Sequence, residues 1–398
     1  MTDYKHRDRQ TLVWNALDEF RIELPSWGFS NTGTRFGKFM QAGAATTIAE
    51  KFADAGEVNR LTGVSPTVAL HVLWDLPNGV SDVAGIRALE AKEGVKAGSI
   101  NPNLFQSQEY KFGSIANPNA EVRAKALSHL LETVKIGREL GSRDISLWVP
   151  DGSNYPGTQS IRKRIAWMEE ALAETHAALG DDQRLLIEYK PFEPAFYHTD
   201  IADWGMALEL ARRAGPKAKV LIDTGHHYQS TNIEQIVAWL LHLDALGGFH
   251  FNDRKYADDD LTLGSIDPYQ VFRIFHEILS APKRLGAQIA FMVDQSHNLK
   301  NKMKAMVQTV AIAQEFYAKA ALVDMEQLSE LQQDCRLVEA EECYRSAFWE
   351  DVRPLVRAWR LSRGLPENPL MALEASGYID RIEKERGSKN AGAATSYA

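Results

Sequence analysis

RLLIEYKPFEPAFYHTDIADWGMALELARRAGPKAKVLIDTGHH, residues 184–227, decides the fold. It opens on one short apolar run, RLLIEYK (184–190), and closes on another, AKVLIDT (218–224), and each run delivers an acidic side chain near its end, Glu188 and Asp223. Short runs of β-branched and aliphatic residues, each followed by a longer segment with apolar residues at helical spacing, read as strands joined by crossover helices, the unit of a parallel sheet.

Working outward, the same rhythm recurs at PTVALHVLW (66–74), RDISLWV (143–149), LGGFHFN (246–252) and AQIAFMVD (287–294). IELPSWGF (22–29) and VKAGSINPNLF (95–105) are less distinct strand candidates. The segments ALSHLLETVKIGRELG, KRIAWMEEALAETHAALG and IEQIVAWLLHLDALGG carry helical periodicity and are expected to finish at their glycines. Beyond about residue 298 the chain reads as helix, with a turn around RGLPENP (363–369) and a tail, KNAGAATSYA, whose Ala, Gly and Ser composition reads as disordered.

The 398 residues suffice for one large core, and 44% hydrophobic with 25% charged residues is the composition of an ordinary globular chain. A net charge of −8 offers no general basic footprint for phosphate backbones, so nucleic acid is not an expected partner. No apolar run reaches the length of a signal peptide or a membrane span, and the expected location is the cytoplasm with no membrane partner. The two cysteines, Cys335 and Cys343, fall in a Glu- and Gln-rich helical stretch and read as reduced thiols.

The chemistry lies at the strand ends. Glu188, Asp223, His250 and Asp294 follow four successive apolar runs, and the C-terminal ends of parallel barrel strands share one face, where such folds place their active sites. Any one of them alone reads as a turn former or helix cap; four in order read as a cluster. Three carboxylates brought together repel unless a cation sits among them, and a mixed carboxylate and imidazole shell suits Mn2+, Co2+ or Zn2+ better than Ca2+. A second group, His226 with Asp258 and Asp260 in KYADDDLTLGS, lies on the loops just beyond, and the i, i+2 spacing of the two aspartates would set both on one side of an extended loop. Glu188 is placed to bridge two ions, which together could clamp two vicinal oxygens of a substrate. His129, His176, His242 and His276 fall within helical patterns and read as surface or packing residues, while His227 and His297 adjoin the motifs and stay open.

Taken in order, LLIEYKP, LIDTGHH, FHFND, the DDD loop and FMVDQSHN, together with RFGKF (35–39), HVLWD (71–75) and SLWVPDGSNYPGTQS (146–160), resemble the L-rhamnose isomerase family of the bacterial, broad-substrate type, over nearly the whole chain. The resemblance implies an α/β fold, a (β/α)8 TIM barrel over residues 1–300, with a C-terminal helical extension over 301–398 that belongs to the same domain and to an oligomer interface. It implies a structural metal on Glu188, Asp223, His250 and Asp294, and a catalytic metal on His226, Asp258 and Asp260 near Glu188. Both would be divalent, Mn2+ before Co2+, Zn2+ or Mg2+. It further implies a Lys190 that bonds a sugar oxygen, an Asp294 and Ser296 pair near the reacting carbons, and sugar contacts from His71, Trp74 and Trp148. Phe36 would reach into a neighbouring subunit's site, which makes a homotetramer the expected assembly. An imidazole can donate to or accept from a hydroxyl, and indole faces cover the C–H side of a sugar.

The expected reaction interconverts an aldose, L-rhamnose or a relative such as D-allose, and its ketose by a 1,2-hydride shift assisted by two metals. The chain shows no second strand-end glutamate suited to abstract a proton from carbon. A ketose 3-epimerase on a related barrel is the alternative; it relies on a pair of glutamates, where the final strand here carries Asp294.

Overall fold

The computed structural model describes residues 8–31, 39–105, 107–153, 155–192, 199–286 and 288–387. Leu185, Leu186 and Ile187 follow one another without a polar break because both faces of their strand are covered, one by the barrel interior and one by helices. The same burial shapes the other strands. β1 (Leu24–Pro25), β2 (Thr67–His71), β3 (Lys96–Asn101), β4 (Asp144–Trp148), β5 (Arg184–Glu188), β6 (Ala218–Asp223), β7 (Leu246–Phe251) and β8 (Ala290–Val293) pair in parallel in chain order. Two bonds close the ring: Glu23 N–H donates to Phe291 O at 2.8 Å and Val293 N–H to Glu23 O at 2.9 Å. The fold is the expected (β/α)8 barrel.

Register carries the functional side chains to one rim. Trp148 lies beside Glu188, Asp223 beside His250, and Asp294 N–H bonds Phe251 O at 3.0 Å, so the ends of β4 to β8 converge.

Several local boundaries differ from the sequence reading. β1 is two residues long because Pro25 has no N–H to extend the ladder, and Ser26–Phe29 turns into a 3-10 helix instead. β2 stops at His71, where the chain winds into a helical turn, Val72–Asp75, rather than running to residue 74. β8 begins at Ala290, since Gln288 N–H and Ile289 N–H are engaged in turns by Leu285 O and Gly286 O. The helix Ala120–Leu140 ends at Gly141 as expected, with φ +74°. The helices Ile161–Ala177 and Ile233–His242 end at Ala178 and Leu243. Gly247 and Gly248 belong to β7, where a Cβ on Gly247 would come within 2.4 Å of Leu186 Cδ2, so close strand packing requires glycine there.

After β8 the described chain is helical from Lys302 to Arg386. The helix Lys302–Ala321 packs against Arg9–Glu19 and Pro268–Ser280, completing the last strand–helix unit, and a single apolar core continues from the barrel into the helices beyond. Phe20, Phe275, Phe291 and Tyr317 join the two, with Phe20 and Tyr317 ring centres 4.7 Å apart. The turn near 363–369 is present, with Gly364 at φ +72° and Asn368 capping the next helix. Cys335 is exposed and Cys343 is buried. Among the described residues no helix is long and apolar enough to cross a membrane. The tail KNAGAATSYA (389–398) and Phe36 lie outside the described residues.

Candidate metal centre

The four strand-end residues meet. Their ligand atoms, from Glu188, Asp223, His250 and Asp294, lie within 4.8 Å of one another, and those of Asp223, His226 and Asp258 form a second such group. Glu188 stands between them: Oε2 is 3.3 Å from His250 Nδ1 and Oε1 is 3.1 Å from His226 Nδ1. His250 Nδ1 also faces Asp294 Oδ2 at 3.5 Å, and His226 Nε2 faces Asp258 Oδ2 at 3.4 Å. Nearly all of this is buried, with Glu188 at 4% and Asp223 at 0% exposure.

Asp260 stands just outside these two compact groups but faces them: its backbone takes φ +48°, and burial, then Asp258, Asp294 and Asp223, push its carboxyl well above the usual carboxylate range. Asp223 completes the compact second group.

The electrostatics show a site crowded with anions. Burial, reinforced by Asp258, Glu188 and Asp294 against the pull of His226, lifts the Asp223 carboxyl to about 7. Burial opposes charge on His250, yet Glu188, Asp294 and Asp223 outweigh it and raise the imidazole to about 9. Burial would raise Glu188, but His250 and His226 hold it well below the usual carboxylate range. Buried imidazole and carboxylate donors in two touching groups fit a pair of divalent cations, whose charge relieves this repulsion.

A proton count follows. Below about pH 9 His250 carries a proton that must leave before Nδ1 can coordinate, so apparent Mn2+ affinity should rise as pH goes from 6 to 9. Calorimetric titration at pH 7 in buffers of different ionisation enthalpy is expected to show release of at least about one proton per protein on metal binding. A binding heat independent of the buffer would count against the cluster as a metal site.

Around these side chains lies a supporting layer that the sequence does not single out. Asn252 Nδ2 donates to Asp223 Oδ1 at 3.0 Å and to Asp294 O at 3.2 Å, and Gly225 N–H donates to Asp223 Oδ1 at 2.7 Å. These bonds fix the rotation of the Asp223 carboxylate. Gly225 must be small: a Cβ there would lie 2.7 Å from Asn252 Oδ1 and 2.8 Å from Asp258 Oδ1. Trp27 Nε1 donates to Asp294 Oδ1 at 2.9 Å. Asn252 was visible as a polar residue two after His250 in FHFND; Trp27 carried no signal in a short stretch beside a proline.

Lys190 Nζ is 2.6 Å from Asp258 Oδ2 and 5.2 Å from the centre of the Trp148 ring, which puts its ammonium at the edge of the centre. From there an aromatic wall runs through Trp148, Phe105, Trp74, His71 and Trp27, each ring 4.2–5.7 Å from the next. Phe105 is a further member the sequence did not point to. Burial, then the charges of Lys51 and His250, hold the His71 imidazole down to about 3, so it is neutral and able both to donate and to accept.

Ser296 lies two residues past Asp294, with Lys302 Nζ 3.5 Å from its hydroxyl. His227 Nε2 is 2.6 Å from the Tyr189 hydroxyl, and His297 Nε2 is 3.3 Å from Gln295 Oε1. His129 and His176 accept backbone N–H groups of Asn103 and Lys217, His276 packs edge-on against Tyr344, and His242 is exposed.

Fold and site together define a parallel barrel with a carboxylate and imidazole centre at its C-terminal rim. Residues 61–279 match the family described as Xylose isomerase-like TIM barrel, and the chain belongs to that family. It is 39% identical over 374 residues to a probable sugar isomerase of Rhizobium meliloti, a match covering 92% of this chain and 86% of the relative. A probable sugar isomerase of Mesorhizobium japonicum is 36% identical over 396 residues, covering 97% and 91%. Among solved structures, a xylose isomerase domain protein from Alicyclobacillus acidocaldarius has TM-score 0.55 at 14% identity, covering 76% of this chain and 99% of its own. A D-psicose 3-epimerase crystallised with D-fructose has TM-score 0.52 at 12% identity, covering 76% and 96%. These last two are likenesses of fold.

Proposed function

We propose that this chain is a metal-dependent aldose–ketose isomerase that interconverts L-rhamnose and L-rhamnulose and accepts related aldoses such as D-allose. The observation that carries the reading is Glu188, whose two oxygens face the imidazoles of the two adjoining ligand groups, His250 and His226, at 3.3 and 3.1 Å. Relatives named probable sugar isomerases, matched over nearly the full chain, support it. Glu188, Asp223, His250 and Asp294 would hold one divalent ion, and His226 and Asp258, with Asp260 beside them, the other, Mn2+ before Co2+, Zn2+ or Mg2+. Ions so held supply Lewis-acid polarisation of two vicinal sugar oxygens.

The chain's own residues do the rest. The wall of Trp27, His71, Trp74, Phe105 and Trp148 covers the apolar side of the sugar and excludes water, while His71, being neutral, can bond a hydroxyl. Lys190 offers an ammonium to the oxygen on which negative charge develops. Going from aldose to ketose, hydrogen passes with its electron pair from C2 to C1, O2 loses its proton and O1 gains one. Asp294, with Ser296 near the reacting carbons, has one oxygen bonded to Trp27 and the other facing His250, an arrangement that favours hydride shift over proton abstraction from carbon by this carboxylate. The same reading expects a cytoplasmic homotetramer in which Phe36 of each subunit approaches a neighbour's site.

The test is a panel of aldoses scored for ketose, after chelation and again after adding Mn2+, Co2+, Mg2+ or Zn2+, in D2O. Turnover should vanish on chelation and return with metal, with L-rhamnose among the best substrates and product C1 free of solvent deuterium. No turnover of any aldose by the metal-loaded protein sinks the proposal, and C3 epimerisation of a ketose in its place would assign the chain to the epimerases.

A further inference from the structure

Asp75 is 2% exposed at the end of the turn after β2, and its two carboxylate oxygens reach three separate parts of the chain. Oδ1 meets the ammonium of Lys51, from the helix Ile48–Thr62, at 2.5 Å. Oδ2 accepts from the Ser26 hydroxyl at 2.6 Å and from the backbone N–H of His71 at 2.9 Å. Ser26 precedes Trp27, the residue that bonds Asp294. His71 stands between Trp27 and Trp74, at ring distances of 4.7 and 4.2 Å. Across the turn, Asn103 Oδ1 accepts from Leu73 N–H at 2.9 Å and secures the other side.

The Lys51 and Asp75 side chains are 8% and 0% exposed. A buried ion pair adds little net stability, because taking both charges out of water offsets their attraction. What this one does supply is geometry. A single carboxylate ties the turn bearing His71 and Trp74 to the corner bearing Trp27, and Trp27 is tied in turn to a metal-facing carboxylate. Binding is sensitive to such placement: a displacement of about 1 Å in a group that orients substrate can change rates by about a hundredfold.

We propose that Asp75, with Lys51 and Ser26, is a positioning unit that sets the aromatic wall against the metal centre and thereby governs sugar affinity without contacting the sugar. The effect on sugar rests on the isomerase reading above; the effect on the wall does not. The experiment uses Asp75→Asn, Lys51→Met and the mild Ser26→Ala in the full chain. Hydrogen exchange should rise in peptides covering residues 24–29 and 71–78 and stay unchanged in β5 and β7. KM for the aldose the wild type uses should rise about tenfold in Asp75→Asn, equivalent to about 1.4 kcal/mol, and by less in Ser26→Ala. At the same time kcat should stay within about threefold, and Mn2+ affinity, measured by calorimetry, within about twofold. Unchanged exchange at both segments overturns the inference whatever the activity, and Ser26→Ala decides this even if Asp75→Asn does not fold. Unchanged KM alongside an active wild type also overturns it, as does Mn2+ affinity falling in step with KM. A wild type inactive on every aldose refutes the isomerase reading, and with it the claim on sugar affinity, and leaves the exchange result to judge the wall.

Discussion

Glu188→Gln is expected to reduce aldose turnover by about a thousandfold or more, a loss of about 4 kcal/mol in transition-state stabilisation. The reason is the position of this one side chain between two ligand groups, with Oε2 toward His250 and Oε1 toward His226. An amide keeps the shape, but it removes a negative charge from both groups and turns one ligand oxygen into an NH2 that cannot coordinate a cation. Mn2+ affinity should fall along with the rate, by at least about a hundredfold, because each of the two proposed ions would lose a ligand. Circular dichroism of the variant should match the wild type, since the strand around Glu188 is held by Leu185, Leu186 and Ile187. Steady-state rates with calorimetric metal binding form the check, and an unchanged rate would overturn the assignment of the centre.

Asp54→Ala should destabilise the fold by about 3–5 kcal/mol. Asp54 is 1% exposed on the helix Ile48–Thr62, and it receives Arg386 through two bonds, NH1 to Oδ2 at 2.7 Å and NH2 to Oδ1 at 2.8 Å. The Tyr378 hydroxyl adds a third at 2.7 Å, while Arg386 also donates to Gly43 O at 2.7 Å. This cluster clasps the helix Tyr378–Arg386 to the barrel's first crossover helix. Removing the carboxylate leaves a buried guanidinium with only Gly43 O and the more distant Glu50, whose Oε1 is 3.8 Å from Nε, and that poorly compensated charge, more than the lost attraction, makes the penalty large. Replacing the pair together, as Asp54→Leu with Arg386→Met, should recover much of the loss. Chemical denaturation of the three variants is the measurement, and equal stability of Asp54→Ala and wild type would contradict the clasp. The same helix presents Lys51 to Asp75 one turn earlier, so the C-terminal helices brace an element that also supports the site wall.

Some of the site was open to reading from residues alone. Glu188, Asp223, His250 and Asp294 each follow an apolar run, and the alternation of runs with helical segments marks a parallel sheet whose strand ends share a rim. That pattern is local, so it survives in sequence. Asp260 illustrates the limit: its two-residue spacing from Asp258 does not reveal the left-handed backbone that sets its carboxyl against Asp258 at the edge of the compact groups. Trp27 bonds Asp294 across 267 positions of sequence, and no periodicity marks a contact of that kind. Helix ends were misjudged where glycine served strand packing: Gly247 sits in β7 against Leu186, not at a helix terminus.

The sequence by itself determined the parallel barrel and which strand-end side chains gather at its rim, because burial on both strand faces and helical periodicity are written in neighbouring residues. Only the tertiary structure decided that Asp223 joins both ligand groups, that Trp27 and Phe105 complete the wall and that Asp75 anchors it. Each depends on residues from different strand ends meeting at one rim, and the Trp27–Asp294 contact in particular exists because β8 closes on β1 and draws the first strand's corner against the last strand's end.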